Sequence, residues 1–261
     1  MSLAATNPIP LDLTGLRVAI TAGAGGIGRV IADSFVTCGA RPFVSDIDDE
    51  ALAACGHPGM HADAGQLEHL ERFMDAAQEH LGGLDVLVNN AGIAGPTAPA
   101  EQVTPDDLDA VLRINLASFF HCARRAVPML RAAGGGSIVN LSSAAGKFGF
   151  PLRSPYSAAK WGIIGFTRTL AMELGPDRIS VNALLPGLVD GPRIRSVLRN
   201  KAQARGQSDN EVTEDSLRHV SLRTFVSQQD IANMALYLCS PFGRTISGQA
   251  ISIDGGMEGL L

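Results

Sequence analysis

A short apolar run at 16–21, LRVAIT, passes directly into the cluster Thr21-Ala22-Gly23-Ala24-Gly25-Gly26-Ile27-Gly28 and then into an apolar-periodic stretch reaching about Cys38. A strand-length run entering a helix through a glycine-rich turn opens a β-α unit, and without Cβ atoms the turn lets a ligand approach the backbone. The alternation then repeats. Strand-like segments at 41–46, 59–63, 84–90, 136–143, 178–186 and 249–254 are interleaved with helical stretches at 48–55, 66–81, 104–133 and 155–174. Seven strands joined through helices predict a parallel sheet covered on both faces, because right-handed crossovers place helices above and below it. The expected architecture is α/β, a Rossmann-like, doubly wound, seven-stranded parallel sheet in a three-layer α/β/α arrangement. No repeat, low-complexity tract or linker divides the chain, so 1–261 is expected to form one domain. The stretch 191–224 breaks the alternation: it is polar, charged and helical in pieces, and it follows a strand end where ligands of open α/β sheets bind. It is expected to be a lid over a substrate.

Set between strand and helix, the glycine cluster predicts a pyrophosphate at the helix N-terminus, where unpaired N–H groups meet its charge. Gly23, Gly26, Ile27 and Gly28 are the expected contacts. Asp46, at the end of the second strand, is placed to accept hydrogen bonds from the adenosine ribose hydroxyls. Its charge would repel a 2′-phosphate, and Gly25 brings no cation to neutralise one, so NAD is expected rather than NADP. Arg29 and Arg41 are read as solvated surface charges. Asp63 has two readings, a contact to the adenine amino group or a cap for the helix beginning near Gln66.

Tyr156 and Lys160 are spaced i, i+4 near the start of a helix and so share one face. Ser143 stands at a strand end, 13 positions before Tyr156. A phenol is a sluggish base at neutral pH, and a neighbouring ammonium would favour its ionised form. Together with TAGAGGIG and the NNAG run at 89–92, these residues resemble the short-chain dehydrogenase/reductase family over essentially the whole chain. The resemblance implies that Tyr156 is the general acid/base, that Lys160 holds the nicotinamide ribose and lowers the tyrosine pKa, and that Ser143 orients the substrate oxygen. It further implies that Asn115 supports a proton-relay water, and that Asn90, Ala91, Gly92, Pro186, Gly187 and Val189 border the cofactor. Hydride transfer would belong to the nicotinamide. Two departures stand out: Gly191 replaces a threonine common in relatives, and Ala22 replaces the usual first glycine of the turn, predicting a slightly altered turn. The resemblance also implies a homotetramer packed through the helices carrying Asn115 and Tyr156.

The implied substrate is a small-molecule secondary alcohol or ketone. Lid length resembles members acting on small hydroxy acids or sugar-derived acids; for such an anion Arg153, three residues before Tyr156, and Arg193 are the expected ligands, with Arg195 nearby. Arg153 on the solvated surface is the competing reading. Phe148, Phe150 and Leu152 suggest instead a neutral polyol, sugar or hydrophobic ketone. A non-catalytic NAD-binding module is a further alternative, which the joint presence of Tyr156, Lys160, Ser143 and Asn115 opposes.

The net charge of −5 provides no broad basic field, so no nucleic-acid partner is expected. The first fifteen residues lack the pattern of a secretory leader, and no apolar run is long enough to span a membrane. A cytoplasmic protein without a membrane partner is the expectation. Cys38, Cys55, Cys122 and Cys239 are scattered and read as reduced packing residues. No metal site is expected: His57 and His61 are separated by Pro58-Gly59 and read as surface loop. His121 is read as a packed helix residue, and Trp161 as core.

Overall fold

The computed structural model describes residues 11–260, the side chain of Arg193 excepted. The residues read above for a leader therefore lie largely outside the described residues. Seven parallel strands form one sheet: β1 (Arg17–Thr21), β2 (Arg41–Asp46), β3 (Gly59–His61), β4 (Val86–Asn89), β5 (Gly136–Leu141), β6 (Ile179–Pro186) and β7 (Ala250–Ile253). Their spatial order is β3-β2-β1-β4-β5-β6-β7. The direction in which successive strands are added reverses between β1 and β4, which creates a crevice at their carboxyl ends.

The helices are α1 (Gly26–Thr37), α2 (Asp49–Cys55), α3 (Leu67–Leu81), α4 (Pro105–Leu112), α5 (Ser118–Ala132), α6 (Ser154–Leu174), α7 (Pro192–Arg205), α8 (Asp209–Arg218) and α9 (Gln228–Cys239). Strand side chains alternate between two cores. On one face Ala19, Leu87 and Ile138 pack with Phe73 of α3, Phe119 of α5 and Ile163 of α6. On the other, Val18, Ile20, Val88 and Val139 pack with Ile31 and Phe35 of α1 and Ile231 and Leu236 of α9. Burial on both sides explains why these strands read as nearly continuous apolar runs.

Local chemistry sets the helix ends. Asp48 accepts from the Ala51 amide at the start of α2. Thr104 with Asp107, Ser208 with Glu211 and Ser227 with Asp230 form reciprocal caps of α4, α8 and α9, each worth about 1 kcal/mol. Gly56, Gly82 and Gly206 end α2, α3 and α7 in left-handed conformations. The sequence expectations contain no helix at the position of α9, although its cap was there to be read. The polar stretch at 191–224 folds mainly as α7 and α8.

The helical stretch expected at 104–133 is interrupted. Arg113–Ala117 form a π-helical turn between α4 and α5. Trp161 corrects a core expectation: it is 51% exposed on α6, because Ala159, Lys160, Ile163 and Ile164 occupy that helix's buried face. His57 Nε2 pairs with Asp33 at 2.7 Å and His61 Nδ1 with Asp49 at 2.9 Å, so the two imidazoles serve different carboxylates. Among the described residues no cluster of three or more His, Cys, Asp or Glu is placed to hold a metal ion. No described helix is long and apolar enough to cross a membrane.

Candidate active site

The turn after β1 and the segment after β4 are joined at the crevice. Thr21 Oγ1 accepts from the amides of Asn90 (2.9 Å) and Ala91 (3.0 Å). Asn90 Nδ2 donates in return to the carbonyls of Thr21 (3.1 Å) and Ala22 (2.9 Å). A Cβ at Gly28 would run into the Ala22 carbonyl oxygen and lie 2.5 Å from Asn90 Nδ2, while one at Gly23 would lie 2.8 Å from Val44 Cβ. These two glycines therefore answer to the protein's own packing. At Gly25 and Gly26 a Cβ would meet nothing within 4 Å, which marks the open side of the turn. Gly26 has φ +52 and Ala22 φ +50. The alanine thus keeps a left-handed conformation instead of relaxing the turn, at a cost of about 1–2 kcal/mol.

The first bond closing α1 runs from the Arg29 amide to the Gly25 carbonyl (3.1 Å). The amides of Gly26, Ile27 and Gly28 precede it and have no acceptor within the helix. No acidic residue occupies that first turn, so its partial positive charge is available to an anion. Asp46 stands beside the turn: one carboxylate oxygen accepts from Ala24 N (3.1 Å), the other from Ile47 N (2.8 Å) and Asp48 N (3.2 Å). Open glycine turn, helix terminus and adjoining carboxylate together fit a dinucleotide. Asp63 is not the helix cap considered above. Gln66 holds that position, and Asp63 Oδ1 instead accepts from the Gly65 amide at 2.7 Å.

Tyr156 and Lys160 lie on α6, with Lys160 Nζ 5.6 Å from the Tyr156 ring centroid. Lys160 is 3% exposed and donates from Nζ to the Leu141 carbonyl at 2.7 Å. Asn115, on the π-helical turn, is fully buried. Its Oδ1 accepts from Ile93 N (2.7 Å) and its Nδ2 donates to Ile93 O (2.9 Å), which ties it to the NNAG segment. A Cβ at Gly92 would lie 3.1 Å from Asn115 Oδ1 and 3.7 Å from Lys160 Nζ, so the glycine leaves room for both groups beside the backbone. Ser143 begins the short turn after β5, its Oγ accepting from the Ala145 amide at 3.1 Å. That turn is held to α6 by the hydroxyls of Ser142, donating to Lys160 O, and Ser157, donating to Ala145 O, both at 2.8 Å. The extra residue in the helix that turns Asn115 inward has no simple signature.

Pro186 ends β6 opposite Ile253. Gly187 packs so closely on the next residue of that strand end that a Cβ would lie 2.7 Å from Asp254 Cα. Val189 bridges to Val226. Asp254, not singled out by the sequence, accepts from the amides of Gly256 (3.0 Å) and Met257 (3.3 Å) and so anchors the backbone against which Gly187 packs.

Arg153 precedes α6 and is 3% exposed, so the solvated-surface reading is corrected. Leu152 before it has φ +64, a left-handed kink that directs the chain into α6. Arg153 Nη2 donates to the Ala94 carbonyl at 2.6 Å. Its guanidinium lies 5.1 Å from the Tyr156 ring centroid and 5.3 Å from that of Phe150. The second cation at Phe150 is Lys201 of α7, whose Nζ is 5.8 Å from the same ring. Burial, with Arg205 and Arg153 nearby, lowers the Lys201 pKa to about 8, against the opposing pull of Asp215. Lys201 continues the i, i+4, i+7 series of Ile194 and Leu198 on the packed face of α7, a placement that its charge disguises in the sequence. Arg193 lies in α7, its side chain outside the described residues, and Arg195 pairs with Asp190 at 3.1 Å.

A family model described as enoyl-(acyl carrier protein) reductase matches residues 21–258. Over 249 residues the chain is 31% identical to the D-beta-hydroxybutyrate dehydrogenase of Rhizobium meliloti (strain 1021), covering 91% of this chain and 96% of that protein. Among solved structures it resembles NAD+-bound xylitol dehydrogenase, with a TM-score of 0.89 and 27% identity over 93% of this chain and 99% of that one. It also resembles an actinorhodin polyketide ketoreductase with NADPH, with a TM-score of 0.87 and 30% identity over 94% and 98% of the two chains. The chain belongs to the short-chain dehydrogenase/reductase family. It is an oxidoreductase of the secondary alcohol and ketone class, built on a fold that binds a nicotinamide cofactor.

Proposed function

We propose that this protein is an NAD-dependent dehydrogenase of a small hydroxy acid, with Tyr156 as its proton-transferring group. The acid reading rests on Arg153, a buried guanidinium packed on the Tyr156 ring. A group charged at every working pH, held beside the proton donor, suits a substrate whose carboxylate lies a few bonds from the reacting carbon. The NAD reading rests on Asp46, fixed by three backbone amides at the edge of the glycine turn. There its carboxylate can accept from ribose hydroxyls and disfavours a 2′-phosphate.

The bound nicotinamide would supply the hydride. Gly23, Gly26, Ile27, Gly28, Asp63, Asn90, Ala91, Gly92, Pro186, Gly187 and Val189 would line its dinucleotide. Tyr156 would give its phenolic proton to the carbonyl oxygen in reduction and take it from the alcohol in oxidation. Lys160, held by Leu141 O, would favour the ionised phenol and bind the ribose. Ser143, whose Oγ already accepts from Ala145 N, would donate its own proton to the substrate oxygen. Asn115 would hold the Ile93 backbone in place to order a relay water. The 191–224 stretch would close over the substrate. Phe120 and Trp161, 49% and 51% exposed on α5 and α6, support packing of these helices between subunits of a homotetramer.

Initial rates with NAD and NADP over a panel of hydroxy acids and neutral polyols test this reading. NAD and acids are expected to be preferred, with Arg153→Ala raising KM for an acid more than for its methyl ester. A second reading, a neutral hydrophobic ketone, is favoured by the apolar cluster of Phe148, Leu188, Ile194 and Met257. Preference for neutral substrates would establish it in place of the first.

A further inference from the structure

Lys201 is 7% exposed, and its ammonium lies 5.8 Å from the Phe150 ring centroid. It lies in a small cleft with Phe150, Leu188, Ile194, His219 and Met257, between α7 and the chain end that follows β7. Taking an ammonium partly out of water is unfavourable unless a counter-charge or proton loss relieves it. Asp215 on α8 attracts it, while Arg205 on its own helix and Arg153 before α6 repel it, and burial adds to the repulsion. His219, after α8, brings no fixed negative charge. Among the described residues no carboxylate lines the cleft, and its Phe150 ring is shared by Lys201 and by Arg153, which stands outside the lining.

We propose that Lys201 is a substrate-binding residue that meets the substrate's anionic group from the α7 side while Arg153 meets it from the α6 side. This rests on the hydroxy-acid reading and extends it. The anion supplies what the fold omits, and its arrival draws α7 toward the start of α6. Recognition of the acid and closure of the 191–224 stretch then become one event, with Phe150 as the spacer between the two cations. The site is predicted to favour a compact carboxylate within reach of Tyr156 and to reject the corresponding ester.

The test compares wild type, Lys201→Met, Lys201→Arg and Arg153→Met, each saturated with NAD. Oxidation of D-beta-hydroxybutyrate and of its methyl ester is measured, together with calorimetric binding of acetate, malonate and acetamide. Methionine keeps the apolar stem of the lysine, and thermal melts check that each variant is folded. The proposal expects the carboxylates to bind wild type at least tenfold more tightly than acetamide. Lys201→Met should lose that preference, and Lys201→Arg should restore much of it. If wild type prefers carboxylates and Arg153→Met loses the preference while Lys201→Met retains it, the role of Lys201 is overturned and the hydroxy-acid reading stands. If wild type shows no carboxylate preference in either binding or turnover, both are overturned.

Discussion

Lys201→Met is expected to make the protein more stable at neutral pH. The ammonium titrates near 8 in the fold against an ordinary 10.5; at about 1.4 kcal/mol per pH unit that sets a ceiling of about 3 kcal/mol, which solvent screening of a partly exposed group brings down to about 1–2 kcal/mol. Because the folded pKa lies below the unfolded one, the unfolded chain binds more protons between pH 8 and 10.5, and wild-type stability rises across that window. Below pH 8 both states are protonated and the whole penalty remains. Methionine removes the charge and retains the packing, so its advantage is about 1–2 kcal/mol at pH 7 and disappears by about pH 10.5. At ~2–4 °C per kcal/mol for a chain of this size, the melting temperature should rise by roughly 2–8 °C. Urea unfolding of both proteins at pH 7 and pH 10, followed by circular dichroism, measures the effect. A variant less stable than wild type at pH 7, or an advantage of the same size at both pH values, would refute the reasoning.

Three further outcomes follow from the crevice. Tyr156→Phe keeps the ring on which Arg153 packs, so NAD affinity by fluorescence titration should change little while turnover falls by about 10²–10⁴; activity within a fewfold of wild type would remove Tyr156 from the chemistry. Gly28→Ala drives a methyl into the Ala22 carbonyl and Asn90, and should cost about 1–3 kcal/mol in urea unfolding and weaken NAD at least tenfold; unchanged affinity would mean that the turn yields. Ala22→Gly removes the left-handed strain and should stabilise by about 0.5–1 kcal/mol after the entropy of the added glycine is subtracted, a sign that a lower urea midpoint would contradict.

The parts of this molecule that sequence makes legible are those written in local periodicity. All seven strands stand at the predicted places; β1, β4, β5 and β6 are buried on both faces and so have little choice of residue, whereas the more exposed β3 and β7 are set by the strand-helix alternation. The i, i+4 spacing of Tyr156 and Lys160 reads directly as one helix face. Asp63 shows where such reading ends: its proximity to α3 suggested a cap, but the turn at Gly65 moved that role to Gln66. Arg153 and Trp161 exchanged environments for a related reason. Charge and bulk suggest surface and core respectively, whereas helix phase and the kink at Leu152 decide. For Lys201 the helical series was available, but a charged residue in a polar segment hides a phase set by its apolar neighbours.

The π-helical turn at Arg113–Ala117 holds one more residue than an α-helical path would need. A single residue advances an α-helix by about 100°. Deleting one residue here would straighten the helix, but everything downstream would swing round by that angle relative to α4. Phe119, Cys122 and Ala126 would leave the core, or else Asn115 would leave Ile93. The surplus residue thus acts as a phase adapter between two faces with incompatible demands. α5 can keep its hydrophobic contact with α3 while α4 approaches on its own bearing, and the buried amide sits at the joint where the two phases are reconciled. Loop insertions elsewhere on the surface could change length freely; this stretch tolerates no change of count.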